Sequence, residues 1–104
     1  MKTIAYGTSE FDEFIDKAPI TLDRAWELQL DYYRSSGSNP VGAPLFFIVD
    51  EAYLFTPYYN PKIPEVQLKG VAINSQTGTV AWVDKKCKLK PVSQFGWQKP
   101  AEEH

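Results

Sequence analysis

Histidine is almost missing from this chain: the only one among 104 residues is His104, the last. Without an internal imidazole there is no Ser-His-Asp triad, no Cys-His pair and no histidine-based metal site. Cysteine is just as scarce. Cys87 stands alone, so no internal disulfide can form and zinc lacks ligands; the thiol reads as inert packing or mild surface chemistry. Gly70, Gly78 and Gly96 are isolated, and none opens a helix after a strand, which removes the phosphate-cradling loop and the dinucleotide fingerprint. The acidic stretch Glu10-Phe11-Asp12-Glu13 lacks the central glycine and later glutamate of a calcium loop. Long hydrophobic runs are absent too. The longest, Leu45 to Val49, falls far below the roughly 18 residues of a membrane span. The opening stretch Met1–Gly7 has no apolar core of signal-peptide length, so the expectation is a cytoplasmic protein. No metal, cofactor or membrane is expected.

Positive charge is in short supply overall, with a net charge of −2 and a pI near 5.3. The run Lys85-Lys86-Cys87-Lys88-Leu89-Lys90 is the one basic cluster. A nucleic-acid binder carries a domain-scale basic footprint, so these lysines read as a solvated strand end or a guard on a sheet edge, and no nucleic-acid partner is expected. The charge is unevenly placed. Residues 1–56 hold nine acids against four bases, and residues 57–104 hold seven bases against four acids. Either the surface is dipolar or the opposite charges face one another across the fold.

Apolar side chains, by contrast, are plentiful at 43%, with 14% aromatic, which rules out a disordered chain and supports one core. The organisation expected is a single α+β domain over 1–90 and a partly ordered C-terminal extension over 91–104. Ser9 caps a short helix whose Phe11, Phe14 and Ile15 share a face, ended by Pro19. Thr21 caps a long helix to about Ser35, with Leu22, Ala25, Trp26, Leu30 and Tyr33 on one stripe, widened by Leu28 and Tyr32, and with Gly37 in left-handed geometry after it. The period then becomes strand-like. Leu45–Val49 and Ala52–Thr56 form a hairpin about Asp50-Glu51. Val66–Asn74 follows, where apolar positions shift phase near Gly70; a bulge there accounts for the shift, or else both faces are buried. Asn74-Ser75-Gln76-Thr77-Gly78 is a hairpin turn leading to a fourth strand, Thr79–Val83. The fold class is therefore α+β: one short and one long helix, the long one packed on a curled four-stranded antiparallel meander.

The segment Lys69-Gly70-Val71-Ala72-Ile73-Asn74-Ser75-Gln76-Thr77-Gly78-Thr79-Val80-Ala81-Trp82-Val83 resembles the closing hairpin of PepSY-like and cystatin-like domains, and of small bacterial immunity proteins described as having an NTF2 fold. The likeness covers about fifteen residues closely, and the remainder only in element order. It implies a cystatin/NTF2-like arrangement and no shared catalytic residues.

Asp23, Glu27 and Asp31 recur every four residues and read as a solvated stripe, with Arg24 and Arg34 nearby. No carboxylate interrupts an apolar strand, so no catalytic residue is assigned; carboxylate-only catalysis stays open. The candidate binding residues lie elsewhere. Tyr58, Tyr59, Asn60, Lys62 and Ile63 sit among three prolines that stiffen their backbone, and tyrosine is enriched at interface hot spots. Trp97 joins them as a tail aromatic. Either these tyrosines present a surface to a partner or they fold back over the mouth of the sheet. Two functions follow. One is a non-catalytic protein-binding module, of the immunity or inhibitor kind, with a protein partner such as a toxin. The alternative is an NTF2-like small-molecule-binding protein or enzyme with a Tyr/carboxylate pocket. The chain is either a monomer or a homodimer, the latter through an open sheet edge.

Overall fold

The computed structural model describes residues 2–37, 43–56, 66–87 and 96–99. It is an α+β fold: two helices lie on one face of an open, five-stranded antiparallel sheet. The elements are β1 (Thr3–Ala5), α1 (Ser9–Lys17), α2 (Leu22–Ser35), β2 (Leu45–Val49), β3 (Ala52–Phe55), β4 (Val66–Asn74) and β5 (Val80–Cys87). Strands follow one another across the sheet in chain order, and both helices are inserted between neighbours β1 and β2.

The expected meander has four strands; the sheet has five. β1 is only three residues long, too short for alternation to show in the sequence, yet it pairs Thr3–Ala5 against Val49–Phe47. Its position fixes the first helix. Thr8, not Ser9, is the N-cap: its backbone is extended, its hydroxyl accepts from the Phe11 N–H at 3.2 Å, and it donates to the Ala5 carbonyl at 2.7 Å. One threonine thus satisfies an orphan helix donor and ties the helix to the strand behind it. Thr21 performs the expected capping of α2, accepting from the Arg24 N–H at 3.1 Å, and Gly37 closes that helix at φ +81°.

The helix-facing side of the sheet carries the larger core, in which Phe11 and Ala25 meet Ile4, Leu45, Ile48, Tyr53, Phe55, Val71 and Ile73. Trp26, Tyr32 and Tyr33 of the expected α2 stripe pack against it. The most deeply buried polar residue on that helix is one the apolar pattern does not select. Gln29 is wholly enclosed, and its Oε1 accepts from the Ala43 N–H at 2.8 Å. Among the described residues its Nε2 has no hydrogen-bond partner.

A second cluster covers the opposite face: Phe46, Phe47, Val49, Leu54, Leu68 and Ala72. Both faces of β4 are therefore buried, Leu68 and Ala72 on one and Val71 and Ile73 on the other. That, not a bulge, explains the phase shift. The pairing of β4 with β5 runs from Val66↔Cys87 to Ile73↔Val80 without a break at Gly70. The irregularity lies in β2 instead, where Leu45 opposes Phe55 and Phe47 opposes Leu54, leaving Phe46 unmatched. The extra residue lets consecutive Phe46 and Phe47 enter the same cluster. Gly70 has a different duty: a Cβ there would run into the Phe55 carbonyl and lie 3.0 Å from Thr56 Cα, so its hydrogen allows β3 and β4 to meet.

β5 also exceeds its expected length. The lysines after Val83 do not end it; Asp84, Lys85, Lys86 and Cys87 continue the ladder opposite Lys69, Leu68, Gln67 and Val66. Two turns shape one end of the sheet. Asp50 and Glu51 both take positive φ, 48° and 67°, as a two-residue type I′ hairpin requires. Next to them, Asn74 Oδ1 accepts from the Gln76 and Thr77 N–H groups at 2.8 and 3.1 Å, with Gly78 at φ +77°.

Candidate functional site

Tyr58, Tyr59, Asn60, Lys62 and Ile63 lie outside the described residues. Trp97 lies inside, half-buried. It exchanges backbone hydrogen bonds of 2.8 Å with Leu45, and its ring stands edge-on to Trp26 with centroids 5.6 Å apart. Trp26 in turn meets Phe55 at 5.9 Å. The indole is a strut from the chain's far end into the main core.

A carboxyl that donates a proton near neutral pH needs shielding from water, because desolvation is what lifts its pKa. Every described Asp and Glu is exposed. Glu27 and Asp31 pair with Arg24 and Arg34 at 3.3 and 3.4 Å in solvent, which makes that stripe a solvated helix face. Among the described residues no three His, Cys, Asp or Glu side chains come together as a metal would need. No described helix is long and apolar enough to cross a membrane. The group with a displaced titration is Tyr53. Burial pushes its phenol up from 10.0 to about 12, and its hydroxyl donates to the Ile20 carbonyl at 2.7 Å. A phenol so engaged ties the α1–α2 connection to β3 and is not poised as an acid or base.

Space for another molecule exists on the helix-free face. A groove of about 260 Å³ is lined by Val49, Ala52, Leu54, Ala72, Ala81 and Val83, with Asp50, Asn74 and Thr79 at its rim. Strand register explains why it is hollow. Leu54, Ala72 and Ala81 stand in one row across three strands, and Val49 and Ala52 in the next. Three alanines over neighbouring strands lower the floor between the larger Leu54, Val49 and Val83. Each rim residue makes a hydrogen bond within the protein. Asp50 Oδ1 accepts from the Lys2 N–H at 2.9 Å, Asn74 holds its own turn, and the Thr77 and Thr79 hydroxyls share a 2.8 Å bond. The groove therefore offers mainly apolar surface, with polar groups confined to its rim.

The helix side of the same edge carries an aromatic patch. Trp82 is 44% exposed and stacks on Tyr32 with centroids 6.3 Å apart and planes 16° from parallel. Tyr33 stands edge-on to Tyr32 at 5.6 Å. Reading the sequence singled out neither feature. The signal for the groove is alanine, a poor strand former, in adjacent rows of three neighbouring strands, and it becomes visible only with the register in hand. Trp82 reads in sequence as one more inward strand residue, because exposure at a sheet edge leaves no mark on the alternation. Comparison of the chain with known protein families, curated proteins and solved structures yields no match.

Proposed function

We propose that this chain is a non-catalytic protein-binding module, and that the alanine-floored groove beside β5 receives an apolar side chain of its partner. The observation that carries the reading is the character of that groove: about 260 Å³, open, apolar along its floor, with Asp50, Asn74 and Thr79 only at the rim. Small-molecule sites run from roughly 300 to 1,000 Å³ and enclose their ligand around a few convergent polar groups. This groove is smaller, and its polar groups stand at the rim instead of converging on its floor. A partner that brings an apolar anchor needs only the shape. Within this class the reading extends to an inhibitor of the immunity-protein kind, whose target is a toxin; the likeness of residues 69–83 supports that step. The Tyr/carboxylate pocket is the weaker alternative, since every described carboxylate is exposed.

The test is affinity capture from native host lysate with wild type and with Ala52→Lys, which fills the groove from a half-buried position on β3. The expected result is a stoichiometric protein retained by wild type and lost by the variant. Equal capture by both would move the site off the groove. Capture by neither, together with stabilisation of wild type by an apolar small molecule, would replace this reading with the pocket.

A further inference from the structure

The two ends of the sheet are protected very differently. Among the described residues, the outer edge of β1, at one side, is three residues long, and that of β5, at the other, is eight. Long edges invite pairing, and proteins blunt them with lysine, proline or a bulge. On β5 the lysines come late, at Lys85 and Lys86, and the stretch Val80-Ala81-Trp82-Val83 carries no such guard.

The ladder shows which backbone groups of that stretch face outward. The Asn74 N–H donates to the Thr79 carbonyl at 2.9 Å, so these two residues form a hydrogen-bonded pair. Antiparallel pairs alternate between hydrogen-bonded and non-hydrogen-bonded. Ile73↔Val80 and Val71↔Trp82 are therefore non-hydrogen-bonded, with Ala72↔Ala81 the bonded pair between them. The N–H and C=O groups of Val80 and Trp82 point away from β4, into the space beyond the edge.

We infer that a second copy of this chain occupies that space, its β5 antiparallel to the first about a twofold axis through Ala81. In this register Val80 of each copy faces Trp82 of the other, and the outward groups of these residues form reciprocal backbone hydrogen bonds. Ala81 meets its mate on the axis, where a small side chain suits the closest spacing. On the helix side each exposed Trp82 ring covers Val80 of the other copy. Charge is compatible with the same arrangement. β5 carries Lys85 and Lys86 at the end away from the 75–78 turn. Past Gly78 the chain turns back to β4, so the twofold carries Lys85 and Lys86 of each copy beyond the end of the other's β5. No like charges oppose one another along the seam. The result is a ten-stranded sheet with both grooves on the same face, a bivalent version of the surface described above.

Light scattering on the purified chain measures this directly. The expected mass is twice 11.8 kDa, halved by Trp82→Lys with an unchanged circular dichroism spectrum. Mild oxidation of Ala81→Cys gives a disulfide-linked dimer. Cα atoms of a non-hydrogen-bonded pair lie about 4.5 Å apart, within disulfide reach, whereas Cys87 lies six residues along the chain from Ala81, so the two Cys87 are far apart and wild type stays unlinked. A monomeric wild type, or a dimer that survives Trp82→Lys, overturns the proposal; a dimer in which Ala81→Cys fails to link overturns its register. A monomer that still captures a partner through the groove sinks this inference alone, and a dimer that captures nothing sinks only the functional reading.

Discussion

Replacing Gly70 with alanine asks whether the sheet depends on one missing methyl. The φ of Gly70 lies outside the left-handed region, so alanine meets no conformational objection there; the cost is contact. The added Cβ would run into the Phe55 carbonyl oxygen, with the carbonyl carbon at 2.9 Å and Thr56 Cα at 3.0 Å. All three are backbone atoms, so no rotamer change gives relief, and β3 and β4 must part by on the order of 1 Å in an interior packed like a crystal. Overpacking of this kind costs about 1–3 kcal/mol. The movement also strains the bond from the Thr56 hydroxyl to the Lys69 carbonyl, 2.7 Å long, worth about 1 kcal/mol. A loss of about 3 kcal/mol is expected, a large share of a total stability of roughly 5–15 kcal/mol. At about 4–8 °C per kcal/mol, Tm falls by roughly 12–24 °C. Gly37→Ala is the matched control. That glycine sits at φ +81° with nothing within 4 Å, so its substitution carries only left-handed strain, about 1–2 kcal/mol. Urea denaturation of both variants gives the comparison. If Gly70→Ala costs no more than Gly37→Ala, the close approach of the two strands is not what the glycine provides, and the reasoning fails.

Two further predictions address the buried polar groups. Gln29→Leu removes the acceptor of the Ala43 N–H and strands that donor in the core; stability drops by about 1–3 kcal/mol, and hydrogen exchange at the Ala43 amide accelerates. An unchanged Ala43 exchange rate would show that the amide is not held by this bond. Tyr53 sets an alkaline limit. Its phenol ionises at 10.0 in the unfolded chain and at about 12 in the fold, so above pH 10 the unfolded state sheds a proton the folded state retains. Stability attributable to Tyr53 is full below pH 10 and declines as pH rises toward about 12. In Tyr53→Phe that decline is absent, at a constant cost of about 1 kcal/mol for the undonated Ile20 carbonyl. Chemical denaturation at a series of alkaline pH values separates the two, and parallel profiles for wild type and variant would refute the assignment.

Much of the architecture was legible in the sequence because its devices are local. Thr21, the apolar stripe and Gly37 bound α2 within one stretch of chain, and Asn74 with Gly78 specifies a turn by its own hydrogen bonds. What escaped depends on partners far away in sequence. β1 is a strand only because Val49 to Phe47 stand beside it, and Thr8 rather than Ser9 caps α1 because its hydroxyl reaches back to that strand. The lysines of β5 belong to a strand because β4 is long enough to pair with them. Likewise the bulge belongs to Phe46, which no local pattern separates from its neighbours in a run buried throughout. The resemblance of residues 69–83 lies in the hairpin most fully written in local turn chemistry, which many unrelated proteins have reason to share.

The same division explains why function was harder to read than fold. Catalytic sites advertise themselves in sequence through residue types that are rare and expensive to place, and this chain has few of them. A surface that binds by shape is assembled from common residues whose meaning depends on register. Ala52, Ala72 and Ala81 are unremarkable singly; with Ala72 and Ala81 side by side on β4 and β5 and Ala52 one row away on β3, they hollow a groove. Trp82 is ordinary in a buried strand, but on the outermost strand of this sheet it is an exposed ring stacked on Tyr32. Both features border β5, one on each face. An edge that is unguarded along its apolar half and guarded by lysines along the other is polarised, and antiparallel pairing about Ala81 uses that polarity by joining the two apolar halves and carrying each lysine-bearing half past the end of the other copy's strand. The strand that closes the sheet is thus the one through which the molecule has most to offer a neighbour.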